Sequence, residues 1–152
     1  MKLSKLIQDI TIQEIKGNTN IEIEGISQNS KETKNGYLFV CIDGFVRDGH
    51  EFVPEAIQNG ASAILVQKDI LPPVGTEVTL VKVKNTRKAL ALLANRFYNY
   101  PSQKLKLIGI TGTNGKTTVA YMLKAIFEEA RKKVGLLTTV ENIIDNQSLD
   151  AK

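Results

Sequence analysis

Short apolar runs alternate along the chain with amphipathic segments of helical period. Residues 36–42 (GYLFVCI), 61–67 (ASAILVQ) and 77–83 (EVTLVKV) are mostly apolar runs, and they predict strands. Residues 20–27 (NIEIEGIS) alternate isoleucine with polar residues, which is typical of a half-exposed strand. These runs, separated by helical segments, predict an α/β fold.

Three segments place apolar residues on one helix face. They are residues 3–10, residues 51–58, and a helix that Asn85 or Thr86 caps. Their inward residues are Leu3, Leu6, Ile7 and Ile10 in the first, Phe52, Val53, Ala56 and Ile57 in the second, and Ala89, Leu90, Leu93, Ala94 and Phe97 in the third. Pro101 then interrupts the periodicity. We therefore predict a complete α/β domain over residues 1–100 and a second domain over residues 101–152.

The second domain begins with KLKLIGITGTNGKTTVAYMLKAIF, residues 104–127. Residues 105–110 are mostly apolar and precede a glycine-containing turn, which predicts a buried parallel strand. After Lys116 the apolar residues follow the spacing of one helix face. Residues 134–139 (VGLLTT) predict a further strand, so the segment reads as one βαβ unit. That unit buries too little surface to be stable alone, and we expect apolar side chains of the helix to stay uncovered.

The turn TGTNGKTT, between the predicted strand and helix, has the features of a phosphate-binding loop. Its two glycines permit positive φ, and the start of the helix contributes free N–H donors and a positive dipole end. The lysine can reach a phosphate and the threonine after it can bind Mg²⁺. The predicted ATP-binding residues are Gly112, Thr113, Asn114, Gly115, Lys116, Thr117 and Thr118, with Thr117 also the Mg²⁺ ligand. The match to G-x-x-x-x-G-K-[ST] is incomplete because Ile110 occupies the position of its first glycine, and the alternative is an ordinary strand-to-helix turn.

Composition narrows the class of protein only slightly. The 152 residues carry a formal net charge of +4, which suits anionic small ligands, and no basic stripe with interleaved aromatics indicates nucleic acid. The single cysteine, Cys41, lies in an apolar run and is expected to be structural, which fits a reducing cytoplasm. The only histidine, His50, is likewise interpreted as structural. No membrane-spanning segment or signal peptide is predicted.

Two blocks of the sequence show a resemblance to a known family. FYNYPSQKLKLIGITGTNGKTT is similar to the junction into the ATP-binding domain of the Mur ligase family. GISQNSKETKNGYLFVCIDGFVRDGHEFVPEAIQNGASAILV is similar to its uridine-binding domain. The resemblance covers nearly the whole chain. It implies an N-terminal uridine-binding domain followed by the start of a Rossmann-like P-loop domain that binds ATP.

The resemblance also implies the residues of a UDP-sugar site. They are Gln28, Ser30, Phe45, Val46 and Arg47. The Asp-Ser-Arg of the family is Asn29-Ser30-Lys31 here, so the serine is kept and both charged neighbours change. Asparagine can still cap as aspartate would, whereas lysine lacks the fork of arginine. An aromatic residue such as Phe45, between two turns, either stacks on a base or folds onto the core.

The activity implied by the resemblance is that of an ATP- and Mg²⁺-dependent ligase. In the branch that these residues match best, the substrate is UDP-N-acetylmuramoyl-dipeptide, and lysine or diaminopimelate is joined to it through an acyl phosphate. The catalytic residues, further metal ligands and the amino-acid-binding C-terminal domain are not found in this chain, and neither Asp145 nor Asp150 is assigned as a ligand. We expect the N-terminal third of an enzyme, inactive by itself. The alternatives are the D-alanyl-D-alanine-adding ligase, a folylpolyglutamate synthase, which Thr117-Thr118 disfavours, and a non-catalytic nucleotide-binding module.

Overall fold

The computed structural model describes residues 1–71, 73, 75–144 and 147–150. The chain divides into two compact units, Met1–Leu105 and Lys106–Lys152, and each is described separately below.

The first unit is an α/β fold built on a mostly parallel sheet. Its helices are α1 (Leu3–Leu6), α2 (Val53–Gln58) and α3 (Thr86–Phe97), and its strands are β1 (Ile12–Lys16), β2 (Gly25–Ser27), β3 (Tyr37–Val40), β4 (Ala61–Val66) and β5 (Thr79–Val83). Short 3₁₀ turns cover Ile7–Asp9, Ser30–Glu32, Gly49–Phe52 and Pro101–Gln103. Within the described residues the strand order is β1-β5-β4-β3-β2. The strands β2 to β5 run parallel, whereas β1 is antiparallel to β5.

Apolar residues cover both faces of this sheet. On one face, Leu38 and Leu65 pack in a cluster with residues of α1 and α3 such as Leu6 and Leu93. The other face carries a second cluster, which includes Ala56 of α2. Burial on both faces explains why β3 and β4 are almost continuously apolar rather than alternating. The first unit is therefore a three-layer α/β domain.

Most elements predicted for the first unit are confirmed, with two corrections. The strand expected over residues 20–27 forms only at Gly25–Ser27. The strand β1 was not predicted, because four of its five residues are exposed and the strand has little apolar periodicity. Its hydrogen-bonded partner β5 holds it at the sheet edge instead. Asn85 caps α3 through a hydrogen bond that its side chain accepts from the Lys88 N–H, at 2.9 Å.

The second unit contains α4 (Lys116–Glu129) and the strands β6 (Leu136–Leu137), β7 (Glu141–Ile144) and β8 (Gln147–Asp150). The helix is confirmed, and the strand expected over residues 134–139 forms at β6. The predicted βαβ unit is wrong, because β6, β7 and β8 form an antiparallel sheet. The parallel strand predicted over residues 105–110 is also wrong. Leu105, Leu107 and Ile108 are exposed, because within the described residues no parallel neighbour pairs with this run.

A hydrogen-bond network joins α4 to the small sheet of the second unit. The Tyr121 hydroxyl on α4 and the Ser148 hydroxyl on β8 both donate to the carboxylate of Glu141 on β7. These two hydrogen bonds, Ser148 first, lower the pKa of Glu141 below its usual range. Among the described residues of this unit, the buried apolar residue is Leu136, and α4 itself buries none. Polar contacts therefore contribute more to the packing of this unit, relative to apolar burial, than they do in the first unit.

Candidate functional site

The carboxyl ends of the parallel strands collect the predicted UDP-sugar residues at one edge of the first unit. Gln28 and Ser30 follow β2, and residues 45–47 follow β3. Because β2 and β3 are adjacent and parallel, both segments leave the sheet at the same edge. In open α/β sheets, ligands bind in the crevice outside the carboxyl ends of the strands. The topology thus places the two segments where a ligand site is expected.

The segment after β2 is held in a tight turn. The Asn29 side chain accepts from the Lys31 N–H at 3.1 Å and caps the Ser30–Glu32 turn, as expected for an asparagine in place of aspartate. Ser30 is buried, and its hydroxyl donates to Glu55 of α2 at 2.5 Å. The Asn59 amide donates to the Ser30 carbonyl at 2.9 Å. Ser30 therefore fixes this turn to α2, whereas Gln28 is exposed. A direct contact of Ser30 with uridine stays a prediction.

The loop after β3 projects its side chains into solvent. Phe45 and Val46 are 105% and 93% exposed, and Arg47 is also exposed. The Gly44 N–H donates to the Arg47 carbonyl at 3.0 Å, which closes the turn. Of the two alternatives for Phe45, folding onto the core is therefore wrong. Its ring is free to stack on a planar ligand, and Arg47 presents a guanidinium beside it.

The base of this loop is held by a network of charged and polar groups. Asp43 and Asp48 face each other as a backbone bridge, and the Lys68 ammonium lies 2.8 Å from the first carboxylate and 2.6 Å from the second. The His50 Nδ1 lies 2.5 Å from Asp48, and its Nε2 accepts from the Gln67 N–H at 3.1 Å. Lys68 first, and then His50, hold the pKa of Asp48 well below its usual range.

These contacts settle the roles of the one histidine and the one cysteine. The His50 side chain is 7% exposed and bonded through both ring nitrogens, so its structural interpretation is confirmed. Cys41 is fully buried, and burial, assisted by the charge of Asp48, raises the pKa of its thiol to about 12. A thiol of this kind is an inert packing residue.

The predicted phosphate loop forms the entry to α4. Gly112 and Gly115 have φ of 149° and 75°, so both occupy backbone conformations that favour glycine. Gly115 is the N-cap, and within the described residues no side chain caps the helix. The N–H groups of the first turn are therefore available to an anion. The Lys116 ammonium folds back onto the loop and donates to the carbonyls of Gly112 and Thr113 at 2.6 and 3.2 Å.

This loop fits a polyphosphate better than it fits a complete metal site. Thr117 at the start of α4 is the one predicted Mg²⁺ ligand, and it is partly buried. No group of three or more His, Cys, Asp or Glu side chains that could hold a metal occurs among the described residues. Asp145 lies outside the described residues, as does the side chain of Asp150. The backbone donors and Lys116 suit phosphate oxygens, whereas Mg²⁺ binding through Thr117 stays a prediction.

Three residues near the UDP-sugar segments were not predicted from sequence. Glu55 holds Ser30, Lys68 ties the two arms of the loop, and the Arg87 guanidinium donates to the Asp43 carbonyl at 3.1 Å. Lys68 directly follows the run predicted as a strand over residues 61–67, and that position was the available signal for it, whereas Arg87 lies in the first turn of α3.

No helix among the described residues is long and apolar enough to cross a membrane.

Two family models match the sequence. One, described as the Mur ligase family, catalytic domain, matches residues 22–98. The other, described as the Mur ligase middle domain, matches residues 110–152. One match lies in each unit of the structure.

One curated relative and two solved structures carry the similarity further. The chain is 48% identical over all 152 residues to the UDP-N-acetylmuramoyl-L-alanyl-D-glutamate–2,6-diaminopimelate ligase of Alkaliphilus metalliredigens, of which it covers 30%. A solved ligase of the same name is similar with a TM-score of 0.70 and 19% identity, over 97% of this chain and 29% of that one. The MurF ligase of Thermotoga maritima, solved in complex with ADP, gives a TM-score of 0.51 and 30% identity over 68% of this chain and 23% of that one. The chain thus spans about 30% of the length of the curated relatives it matches.

Proposed function

The chain belongs to the Mur ligase family, and we propose that it contributes the nucleotide-sugar site and the triphosphate-binding loop of an ATP-dependent ligase. In this proposal the ligase joins 2,6-diaminopimelate to UDP-N-acetylmuramoyl-L-alanyl-D-glutamate during peptidoglycan synthesis. The observation that carries the proposal is 48% identity, across all 152 residues, to a relative named for that reaction.

The proposed role of the first unit is to bind the UDP end of the substrate. Phe45 is fully exposed at the carboxyl edge of the sheet, where its ring would stack on uracil. Arg47, on the same turn, carries the charge that a pyrophosphate requires. Gln28, exposed at the end of the neighbouring strand, would hydrogen-bond the base or the ribose. The buried hydroxyl of Ser30 would hold this segment in place through Glu55.

The proposed role of the second unit is to bind ATP. The N–H groups at the start of α4 and the positive-φ glycines support a phosphate cradle. Lys116 already lies over the loop, and it would exchange two neutral carbonyls for charged phosphate oxygens. Thr117 would be one ligand of Mg²⁺, which when bound neutralises part of the phosphate charge. The chain's own contribution is to hold and orient the phosphates.

A ligase that adds D-alanyl-D-alanine is the second candidate. A solved D-alanyl-D-alanyl ligase of Acinetobacter baumannii favours it, with a TM-score of 0.63 and 28% identity over 84% of this chain. The identity to the diaminopimelate ligase is 48% and extends over the whole chain, which supports the first candidate more strongly. The choice of diaminopimelate over lysine rests on the name of that relative.

A chimeric enzyme would test the proposal. The segment of the Alkaliphilus metalliredigens ligase that matches this chain would be replaced by these 152 residues, and phosphate release measured with ATP, Mg²⁺, the UDP-linked dipeptide and diaminopimelate. We expect substrate-dependent turnover, reduced at least tenfold by Lys116→Ala in the same chimera. A chimera that folds but neither binds ATP nor shows substrate-dependent turnover would contradict the proposal.

A further inference from the structure

We propose that Lys68 is a positioning residue for the nucleotide-sugar site, because it ties together both arms of the loop that presents Phe45 and Arg47. This inference rests on the proposed function of that loop as the UDP-binding segment. In this proposal Lys68 does not itself contact the ligand. It would act through Asp43 and Asp48.

The two arms of the loop need a cation between them. Asp43 and Asp48 form an antiparallel backbone bridge, so two carboxylates lie across from each other at the base of the loop. Like charges directly opposite on paired backbones are destabilising. The Lys68 ammonium lies 2.8 Å from one carboxylate and 2.6 Å from the other, and it therefore turns a repulsive pair into an attractive triad. Lys68 comes from the carboxyl end of β4, so it also fixes the loop to the sheet.

Other contacts hold one arm each. The Arg87 guanidinium donates to the Asp43 carbonyl at 3.1 Å. On the opposite arm, His50 bonds the Asp48 carboxylate and accepts from the Gln67 N–H. Among the described residues, Lys68 is the side chain whose ion pairs reach both arms. The backbone also joins the arms, because the Gly44 N–H donates to the Arg47 carbonyl at 3.0 Å and the Gly49 N–H donates to the Ile42 carbonyl at 2.8 Å. Without Lys68, these backbone hydrogen bonds would be opposed by the repulsion between the two carboxylates, so the spacing between the arms would be held less firmly.

The position of the loop tip, residues 45–47, depends on the base of the loop, where Asp43 and Asp48 are paired. Phe45 and Val46 are almost completely exposed, so packing on the core does not orient them. A loop that is ordered before the ligand arrives loses less conformational entropy on binding, which lowers the Kd. The Lys68 side chain is 48% exposed, so each of its ion pairs is partly screened by solvent. A modest effect on affinity is therefore expected.

The test measures UDP binding to the 152-residue chain by calorimetry and the order of the loop by ¹⁵N heteronuclear NOE. Lys68→Met should raise the Kd for UDP about threefold to tenfold, and should lower the NOE of the backbone amides of residues 45–47. Lys68→Arg should restore most of both. The matched control is Lys82→Met, because Lys82 on the next strand makes a 2.6 Å ion pair with Asp69 that does not involve the loop. This control should bind UDP like the unaltered chain.

The outcomes separate the two levels of the inference. If the unaltered chain does not bind UDP, the proposed function of the first unit fails, and with it this inference. If the unaltered chain binds UDP and Lys68→Met matches Lys82→Met in both Kd and NOE, the positioning role alone is overturned. Should Lys68→Met fail to fold, Asp43→Asn tests the same triad from the other side. Asp43→Asn cuts the ion pair between Lys68 and one arm, but it also removes the repulsion between the two carboxylates, so it should raise the Kd by less than the change expected of Lys68→Met, with a lowered NOE at residues 45–47. An unchanged Kd together with an unchanged NOE would overturn the role.

Discussion

The two units of this chain show the same kind of hydrophobic pattern and very different burial. The helix α3 of the first unit packs Ala89 and Leu93 into a core, whereas α4 of the second unit buries no residue. Of the 22 buried apolar residues among those the structure describes, 21 lie in the first unit and only Leu136 lies in the second. An amphipathic pattern therefore predicts which face of a helix can pack against other elements. Whether that face is buried also depends on a sheet that packs against it.

The difference also separates two kinds of candidate site. In the first unit, exposed side chains stand on a loop whose base is fixed to a buried sheet by Lys68, His50 and Arg87. In the second unit, the phosphate loop depends on its own backbone conformation and on the start of one helix. Substitution of a buried apolar residue should therefore cost the first unit much stability, whereas substitutions on α4 or in the phosphate loop should cost the second unit little stability.

The largest expected effect is on the free energy of unfolding of the first unit. Leu38 is fully buried, so Leu38→Ala leaves a cavity in the core and should lower the free energy of unfolding by about 2–5 kcal/mol. Met122→Ala on α4, where the side chain is 59% exposed, should cost no more than about 0.5 kcal/mol. Urea titration followed by two-dimensional NMR, with the resonances of each unit read separately, measures both losses. Equal losses for the two variants would remove the contrast between the units.

The next effect is on ATP binding by the second unit. Lys116→Ala removes a charge-assisted contact worth about 1.5–3 kcal/mol, so the Kd for ATP should rise roughly tenfold or more. Lys133→Ala, which changes an exposed lysine beyond the other end of α4, is the control and should change the Kd little. In calorimetric titrations with and without Mg²⁺, Thr117→Ala should mainly reduce the Mg²⁺ dependence. Unchanged affinity in Lys116→Ala would exclude the phosphate-loop assignment.

A smaller effect is expected from the backbone of the same loop. Gly115 has φ of 75°, where an alanine costs about 1–2 kcal/mol. Gly115→Ala should therefore raise the Kd for ATP by up to about tenfold, because the loop would leave its cradle conformation. Gly109→Ala is a matched control, since a Cβ there meets open space and its φ lies outside the left-handed region. The idea fails if both substitutions weaken ATP binding equally.

The smallest effect is a pH dependence of the first unit. The pKa of Asp48 is lowered in the folded chain, chiefly by Lys68, relative to an unfolded value of about 3.9. Its contribution to stability is therefore complete above about pH 4 and is lost as the pH falls below that value. Asp48→Asn should be less stable than the unaltered chain at pH 6, and the gap should narrow by pH 3. Urea titrations at both pH values measure the gap, and a constant gap would contradict this linkage.

Local sequence signals predicted much of the first unit. The runs around Phe39, Ile64 and Val81 are apolar enough to indicate buried strands, and Asn85 marks the start of α3. The edge strand β1 escaped prediction because its exposed residues carry little pattern and its position depends on pairing with β5. Such pairing is a long-range property that local periodicity does not contain.

The same limit explains the errors in the second unit. The run with Leu107 and Ile108 has the composition of a buried strand, but a strand also needs a hydrogen-bonded neighbour.

The two candidate sites differ in how far sequence could predict them. The glycines and Lys116 of the phosphate loop are close in sequence and were predicted together. By contrast, Lys68 lies 20 residues from Asp48, and only the fold brings their charges together.

We propose that the two units bind different ligands, a nucleotide sugar in the first and ATP in the second. The most direct test is residue-level chemical-shift mapping of the 152-residue chain, titrated separately with UDP-N-acetylmuramoyl-L-alanyl-D-glutamate and with ATP and Mg²⁺. We predict that the nucleotide sugar shifts Gln28, Ser30 and residues 45–47, and that ATP shifts residues 112–118. Nucleotide-sugar shifts confined to residues 112–118, or ATP shifts centred on residues 45–47, would contradict this assignment of ligands.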